Sequence, residues 1–393
     1  MRVLQLCHKP PFPPVDGGCV AMAAVTNGLI QQGIDLWIYN IATHKHPFNK
    51  DYFPKEIENK NFSFFIDTKI NALKALKALI KNNSYNISRF YNQILSNQII
   101  QFIQKEKIDL VHIESLYGMP YAIDIKKNTK AKIILRSHNI EHHLWEQKAQ
   151  KESNIIKKIY LQILAKQLKQ FELKSFSMAD GIISISSSDS NFIQQSGIKT
   201  KLITVPVGIT EKEFQENTSN SIYHIGAMDW QPNVEGLNWF LENVWSLVLD
   251  KKTGAELHLA GRNMPKEKYS NYKNVIVYGE VENSEKFAAD KGIMIIPVHR
   301  ASGIRIKLAE AMMMGKAIVS TSIGASGIEN LSNKEILIAD NAFDFAEKIL
   351  LLLENENLKN EISKNAHHFA LQHFEQDKCS QKIIDFYNKI LNN

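Results

Sequence analysis

The segment from Ile293 to Thr321 contains the side chains best suited to bind a diphosphate. An apolar run is followed by a loop at His299–Gly303 and then by a helical pattern that ends at Gly315. Glycine in such a loop lets the backbone approach a ligand, and the free N–H groups at the start of a helix favour an anion. Two cations, Arg305 and Lys307, are predicted to lie in the first turn of this helix, where a diphosphate would lie.

Glu310 is the next side chain with a chemical use, and it follows Lys307 by three residues on the same predicted helix face. Its carboxylate could accept hydrogen bonds from the two hydroxyls of a ribose. The alternative is a surface ion pair between Lys307 and Glu310, which requires no ligand. The glycine loop and the apolar runs on both sides of it favour the ligand site.

Two segments of the N-terminal half also follow predicted strands. Asp16, Gly17 and Gly18 open the first predicted helix, where a glycine pair can meet a phosphate or an acceptor hydroxyl. They do not form the G-x-G-x-x-G motif of a dinucleotide site. His138 follows the apolar run Ile133–Arg136, and its imidazole could bond a sugar hydroxyl or assist charge development near a leaving oxygen.

A structural histidine and a metal ligand are the other interpretations of His138. His142 lies four residues later, with His143 next to it. There is no H-E-x-x-H motif, and no third ligand is evident from the sequence. We therefore predict no metal site here.

Apolar runs alternate with helical patterns along the whole chain, which predicts two parallel α/β sheets. We place residues 1–205 in an N-terminal Rossmann-like domain and residues 206–375 in a second one, with a C-terminal helix at 376–393 packing back on the first. The predicted strands are Val3–Cys7, Ile34–Tyr39, Leu110–Ile113, Ile133–Arg136, Gly181–Ser186, Leu202–Val205, Ile222–Ile225, Glu256–Ala260, Val275–Tyr278, Ile293–Pro297, Ile318–Thr321 and Ile336–Ala339.

The formal net charge of +6 is distributed unevenly. Residues 1–205 contain 27 Lys and Arg against 16 Asp and Glu, whereas the remainder contains 20 against 25. A basic half suits an anionic partner such as a phospholipid surface, a lipid pyrophosphate or nucleic acid, unless the lysines only solvate the surface. We expect no nucleic-acid partner, because the basic half lacks a recognition motif.

Two helical stretches carry many of these lysines. In the first, apolar side chains recur at helical spacing between Ile70 and Ile80, and four lysines alternate with them. The second covers residues 151–175 and contains six lysines. Each could lie on an anionic membrane. An apolar stripe that faces the core, with lysines in solvent, is the alternative, and we favour it. The first stretch consists of Ile70, Leu73, Leu76, Ile80, Lys69, Lys74, Lys77 and Lys81.

The sequence predicts neither a signal peptide nor a membrane-spanning helix. Prolines follow Val3–Cys7 at once, and no apolar run reaches the length of a span. Cys7, Cys19 and Cys379 form no metal-ligand spacing and would leave one cysteine unpaired in any disulfide scheme. We expect a cytoplasmic protein, soluble or attached to the inner face of the cytoplasmic membrane.

Several of these motifs resemble the GT4 family of retaining glycosyltransferases, which has the GT-B fold. Residues 222–245 resemble a subgroup with the signature G-x-M-x-W-x-P-N, read here from Gly226 to Asn233. We expect Asn233 to cap the helix that follows this signature. The family usually has two glutamates separated by seven residues. Glu310 matches the second, which holds the donor ribose, whereas Ser302 stands in place of the first, which contacts the donor sugar. Backbone contacts from Ser302, Gly303 and Ile304 could replace that carboxylate.

The resemblance implies two Rossmann-like domains facing across a cleft. The C-terminal domain would bind a UDP- or GDP-type nucleotide sugar, and the N-terminal domain a glycan or lipid-linked acceptor used in cell-surface polysaccharide synthesis. His138 would reach the donor sugar, with Arg305 and Lys307 on the diphosphate. No cofactor or metal is expected. A GT-B epimerase and a non-catalytic protein that binds a nucleotide sugar or a polysaccharide remain as alternatives.

Overall fold

The computed structural model describes residues 1–80, 83–214, 216, 219–300 and 303–392. The chain divides into two compact units. Unit 1 comprises Met1–Gly208 and Gln376–Asn393, and unit 2 comprises Ile209–Glu375. Ser302 and Lys81 lie outside the described residues, as do the side chains of Lys74 and Leu76.

Unit 1 is built on a parallel sheet. Its described strands are β1 (Arg2–Cys7), β2 (Asp35–Ala42), β3 (Asn61–Phe65), β4 (Leu110–Glu114), β5 (Lys132–Ser137), β6 (Gly181–Ser184) and β7 (Lys201–Thr204). They are arranged in the order β3-β2-β1-β4-β5-β6-β7. Strand β3 is not among the strands predicted from the sequence. This edge strand is partly exposed, so it lacks the continuous aliphatic pattern of a strand covered on both faces.

Helices of unit 1 follow the strands in turn. The first of them begins at Gly17, where a helix start was predicted, and Asp16 caps it, since its Oδ1 accepts a hydrogen bond from the Cys19 N–H at 2.9 Å. Gly33, with φ of +71°, follows the end of this helix. The helices are α1 (Gly17–Gln31), α2 (Ala72–Ile80), α3 (Tyr85–Ser88), α4 (Gln93–Glu106), α5 (Met119–Asn128), α6 (Glu141–Lys151), α7 (Ile155–Met178) and α8 (Ser187–Gln195).

The first basic stretch folds as helix α2, but its predicted orientation is wrong. Ile70, Leu73 and Ile80 are exposed, whereas Ala75 and Ala78 are buried against Tyr85. Small alanine side chains let the helix approach its support closely, so the larger aliphatic side chains point outward. Among the described residues, no helix is both long and apolar enough to cross a membrane.

Unit 2 contains a second parallel sheet. Its described strands are β8 (Ile222–Ile225), β9 (Leu257–Ala260), β10 (Val275–Gly279), β11 (Ile293–Ile296), β12 (Ala317–Ser320) and β13 (Leu337–Ile338), in the order β10-β9-β8-β11-β12-β13. Its helices are α9 (Gln231–Asn243), α10 (Trp245–Lys251), α11 (Lys266–Tyr269), α12 (Ser284–Ala289), α13 (Ile306–Met313), α14 (Ala342–Glu354) and α15 (Glu356–His373).

Two helix starts in unit 2 differ from those expected. Asn233 does not cap α9, because this helix begins at Gln231 with Trp230 as its N-cap, and the Asn233 amide instead donates to the carbonyl of Ala227. Arg305 is the N-cap of α13 and does not lie in its first turn. In both places the backbone becomes helical at a residue without a capping side chain, so sequence preference is a poor guide.

The C-terminal helix α16 (Gln376–Leu391) belongs to unit 1. It packs on α1, and its Cys379, Ile383 and Phe386 lie in a core cluster with Val25 and Leu29 of that helix. Its Tyr387 also hydrogen-bonds the ring of His112 in β4.

In each sheet the direction of strand order reverses once, between β1 and β4 in unit 1 and between β8 and β11 in unit 2. The loops that follow two such strands diverge, which opens a crevice at their carboxyl ends where ligands of doubly wound sheets bind.

Candidate active site

The reversal point of unit 2 brings together the two segments singled out from the sequence. The signature loop beginning at Gly226 follows β8, and the loop that contains Gly303 follows β11. The backbone packs closely at this edge, because a Cβ at Gly261 would lie 1.8 Å from the carbonyl oxygen of Gly226. The loops that follow β8 and β9 therefore approach each other backbone to backbone at this edge.

Arg305 is the principal cation at this edge. Its guanidinium lies over the ring of Trp230, 5.5 Å from the centroid, and donates to the carbonyl of Gly303. Burial lowers the pKa of Arg305 to about 10, so the group remains charged at neutral pH. A guanidinium already held over an aromatic ring loses little further freedom when it binds an oxyanion. The sequence suggested Arg305, but the supporting role of Trp230 emerged only from the structure.

Lys307 and Glu310 form the ion pair that their spacing permits. The Lys307 ammonium lies 2.7 Å from Glu310 Oε2 and 3.1 Å from Ser284 Oγ. Both side chains are partly exposed, so this pair adds little to stability by itself. A ligand that bonds the Glu310 carboxylate must compete with Lys307 for it. Ile304 lies in the loop just before Arg305, and Ser302 lies outside the described residues.

A further cation was missed by sequence reasoning. Arg262 follows β9, and its Nη2 donates to Asp229 in the signature loop at 2.8 Å. The Met228 N–H donates to the Arg262 carbonyl, which fixes the two loops together. The signature loop contains no cation of its own, but the fold supplies one from a residue 33 positions away. Arg262 and Asp229 meet because β8 and β9 are neighbours in the sheet, so the loops that follow them lie side by side.

The Asp16-Gly17-Gly18 segment of unit 1 lies after β1, beside its reversal point. Besides capping α1, Asp16 accepts the Lys9 ammonium at 2.6 Å and contacts His46 Nε2 at 3.1 Å. Burial opposes ionisation of Asp16, but His46 and Lys9 outweigh it and hold its pKa well below the ordinary range. A Cβ at Gly18 would lie 2.9 Å from Lys9 Nζ, so glycine leaves room for this cation.

His138 follows β5 and lies over a buried carboxylate. Its Nε2 is 2.6 Å from Glu114 Oε2, and Glu114 also receives Gln5 Nε2 at 2.9 Å. Arg136 Nη1 lies 3.4 Å from the same carboxylate. Burial raises the pKa of Glu114, but Arg136, His112 and His138 together hold it well below its ordinary value.

These contacts determine which ring nitrogen of His138 carries the hydrogen. An ionised Glu114 can only accept hydrogen bonds, so Nε2 of His138 donates and carries the hydrogen. Burial lowers the pKa of His138, although Glu114 acts in the opposite direction, and the ring is therefore neutral at pH 7. Its Nδ1 then has a lone pair that can accept a hydrogen bond from a hydroxyl group. The sequence could not reveal Glu114 as the partner, since it lies 24 residues earlier.

Two groups of described residues have donor atoms close enough to hold a metal, Asp16 with Cys19 and His46, and His142 with His143 and Glu146. His138 belongs to neither. The Lys9 ammonium already contacts the Asp16 carboxylate, and His142 Nδ1 already contacts Glu172. In the first group the carboxylate is therefore already paired with a cation, whereas His142 Nε2 in the second group has no hydrogen-bond partner among the described residues.

His8 lies beside this network, and we expect it to make the free energy of unfolding depend on pH. Burial, followed by the charges of Lys9 and His138, lowers the pKa of His8 from 6.5 to about 3. The unfolded chain therefore binds a proton that the folded chain excludes between these values, and the free energy of unfolding falls as pH drops from 6.5 to 3. For His8→Gln we expect that fall, measured by urea denaturation, to be smaller by up to about 4 kcal/mol. The exposed His44 provides the control variant His44→Gln, and equal pH profiles for wild type and His8→Gln would contradict this expectation.

Comparison with known proteins shows which family this chain belongs to. Residues 15–213, just over half of the chain, match the model described as Glycosyltransferase Family 4. The chain belongs to this family. Residues 219–355 of this family 4 protein also match the model described as Glycosyl transferases group 1. The subgroup signature and the Ser302 substitution are not part of that finding and remain interpretations.

Relatives of this family 4 protein include two bacterial proteins. An uncharacterized 44.6 kDa protein in the cps region of Klebsiella pneumoniae is 25% identical, over 71% of this chain and 74% of that protein. The N,N'-diacetylbacillosaminyl-diphospho-undecaprenol alpha-1,3-N-acetylgalactosaminyltransferase of Campylobacter jejuni is 26% identical over 56% of this chain. That alignment spans 63% of the Campylobacter enzyme.

Solved structures agree in fold. The sucrose-phosphate synthase of Thermosynechococcus elongatus has a TM-score of 0.72 at 12% identity, with both chains fully covered. The Anabaena protein HepE in complex with UDP has a TM-score of 0.66 at 12% identity, over 99% of this chain and 100% of that one. The family 4 protein is therefore a glycosyltransferase with the two-domain α/β GT-B fold.

Proposed function

We propose that this protein transfers a sugar, with retention of anomeric configuration, from a nucleoside-diphosphate sugar to a hydroxyl of a glycan or lipid-linked acceptor. The observation that carries the proposal is Arg305, a half-buried guanidinium stacked on Trp230 at the reversal point of the unit 2 sheet. A fixed cation at this place is suited to the charge of a diphosphate.

The relatives' names support the class of acceptor. One lies in a cps region, and another acts on a diphospho-undecaprenol substrate. HepE was crystallised with UDP and with UDP-glucose, which supports a uridine nucleotide as the donor. We therefore propose a role in the assembly of cell-surface polysaccharide, with UDP as the first nucleotide to test.

In this proposal unit 2 binds the donor. Arg305, Lys307 and the backbone N–H groups at the start of α13 bind the diphosphate, and Glu310 exchanges its contact with Lys307 for the ribose hydroxyls. Backbone groups of Gly226, Ser302, Gly303 and Ile304 contact the sugar and phosphates. The protein's cations neutralise the phosphates, and the proposed reaction accordingly needs no metal.

During transfer, the bond between the sugar's anomeric carbon and the phosphate oxygen breaks. A bond from the acceptor oxygen forms on the same face of the sugar, and the acceptor proton passes to the departing phosphate. Arg305 and Lys307 stabilise the negative charge that develops on that phosphate. His138 accepts a hydrogen bond from a sugar hydroxyl through Nδ1. The Asp16-Gly17-Gly18 segment, with Lys9 beside it, contacts the acceptor in unit 1.

A thermal-shift screen tests the donor assignment. We expect UDP to raise the melting temperature equally in EDTA and in magnesium, because a ligand that binds only the folded state stabilises it. ADP, CMP, NAD and NADP serve as comparisons, and GDP tests the other expected donor type. A rise with NAD or NADP alone would contradict a nucleotide-sugar site, and a rise that requires magnesium would contradict the metal-free proposal.

Product analysis separates the remaining functions. An epimerase would interconvert UDP-sugars without an acceptor. A non-catalytic binding protein would bind UDP-sugar without turnover on any glycan or lipid-linked acceptor. The serine at position 302, in place of the family's first glutamate, favours this second alternative. Retention requires that the anomeric configuration of donor and product be the same by NMR. We propose further that the protein works in the cytoplasm at the inner face of the cytoplasmic membrane.

A further inference from the structure

Two helices of unit 1 expose large apolar side chains to an unusual extent. Five isoleucine and leucine side chains are 72% to 80% exposed, the highest values among the described large hydrophobic residues. All five lie on α2, just before it, or at the start of α7, and two less exposed isoleucines continue the row on α7. We call this set the α2–α7 surface: Ile70, Leu73, Ile80, Ile155, Ile156, Ile159 and Ile163.

Helix α7 is apolar on two opposite sides. Leu161, Leu164 and Leu168 are buried, as a helix that covers a sheet requires. Ile155, Ile159 and Ile163 recur every four residues and are exposed. A helix with solvent on its outer side normally carries polar residues there, so this second apolar row indicates a surface that is covered when the protein works.

Helix α2 continues the same surface. The amide of Gln167 on α7 donates to the carbonyl of Leu79 on α2 at 3.4 Å, which joins the helices at the end of α2. Ile80 is the next residue after Leu79, and Ile163 lies one turn before Gln167. The exposed rows of the two helices therefore approach each other there.

Charge determines which partner fits this surface. Residues 68–104, which contain α2, and residues 153–171, which contain the part of α7 that carries the exposed isoleucines, include no aspartate or glutamate. Glu152, just before α7, is paired with Lys157. Exposed lysines lie among or beside the apolar side chains, including Lys69, Lys77 and Lys166. Apolar side chains with exposed lysines among and beside them match the interface of an anionic bilayer. A second copy of the same surface would bring like charges together.

We propose that the α2–α7 surface inserts into the headgroup region of an anionic lipid bilayer. The isoleucine and leucine side chains enter the boundary of the acyl chains, and the lysines bond lipid phosphates from the ends of their aliphatic stems. This deepens the membrane placement of the proposed function by naming the surface. It does not depend on the assignment of the donor site, because every residue involved lies in unit 1.

Vesicle sedimentation tests the proposal with the whole 393-residue chain. We expect wild type to bind vesicles of equimolar phosphatidylcholine and phosphatidylglycerol, to bind pure phosphatidylcholine weakly, and to be released by salt. The double variants Ile156→Glu with Ile159→Glu, and Leu73→Glu with Ile80→Glu, should each bind at least about tenfold more weakly. The matched control is Phe343→Glu with Leu351→Glu, which alters exposed apolar side chains of α14 in unit 2 and should bind like wild type.

Either of two results would overturn the proposal. One is undiminished binding by both surface variants. The other is a wild-type dimer that the variants dissociate, with no vesicle binding, which would make the surface an interface between copies. A UDP thermal shift is measured on every variant. A preserved shift shows that the variants are folded, and its absence from wild type would count against the donor assignment and leave the vesicle result intact.

Discussion

Replacing Arg305 with alanine is expected to weaken UDP binding at least about tenfold, because a hydrogen bond to a charged group contributes about 1.5 to 3 kcal/mol. The structure gives the reason, since the guanidinium is held on Trp230 and beside Gly303 before any ligand arrives. Isothermal titration calorimetry measures the affinity directly and requires no knowledge of the acceptor. With UDP-sugar and acceptor, the same variant should also lose most of its turnover.

Arg300→Ala is the matched control. Arg300 lies five positions earlier, is half exposed and pairs with Glu235, so its loss should leave UDP affinity nearly unchanged. Glu310→Ala should weaken binding as well, through the ribose. If Arg305→Ala binds UDP and turns over like wild type, the diphosphate assignment is wrong.

Replacing Glu114 with alanine is expected to lower the free energy of unfolding by about 3 to 5 kcal/mol, the usual cost of removing one partner from a buried ion pair. Arg136 is almost fully buried beside it and would lose its counter-charge. His138 and Gln5 would each lose a hydrogen-bond acceptor. Urea denaturation at neutral pH, monitored by circular dichroism, measures the change.

Glu58→Ala supplies the comparison, because Glu58 is exposed and pairs with Lys50 at the surface. Its loss should change the unfolding free energy by less than about 1 kcal/mol. Glu114→Gln keeps the shape but can present an amide N–H to His138, so it should reduce turnover even where the protein stays folded. Equal stability of Glu114→Ala and wild type would show that the network does not hold Arg136 and His138 in place.

The free energy of unfolding should also depend on pH through the ionisation of Glu114. Because the pKa of Glu114 is depressed in the folded protein, its contribution is present above the carboxyl's ordinary pKa and is lost as pH falls through the folded value. Glu114→Gln should therefore show a smaller loss of stability in acid than wild type.

The sequence predicted correctly those structural features that depend only on residues close together in the chain. The buried strands could be predicted from aliphatic runs because a parallel strand is covered on both faces. The start of the first helix at Asp16-Gly17-Gly18 could be predicted because the signals for a helix start lie within a few neighbouring residues. The ion pair of Lys307 and Glu310 follows from one turn of helix in the same way.

Orientation was less readable. The spacing of Ile70, Leu73 and Ile80 predicted the helix correctly but not which of its sides is buried. An amphipathic pattern is the same whether its apolar side contacts a core or a membrane. The buried alanines on the other side of α2 decide the matter, and small residues carry almost no signal of burial in a sequence.

The two sheets, the loop with Arg305, Lys307 and Glu310, and the likeness to GT4 glycosyltransferases were all predictable from the order of residues in the chain. Only the tertiary structure decided that Glu114 sets the proton of His138, that Trp230 supports Arg305, and that Arg262 reaches Asp229. The physical reason is the same in each case. Neighbouring parallel strands are separated in the chain by a crossing helix, so side chains that meet at one edge of the sheet are distant in the sequence.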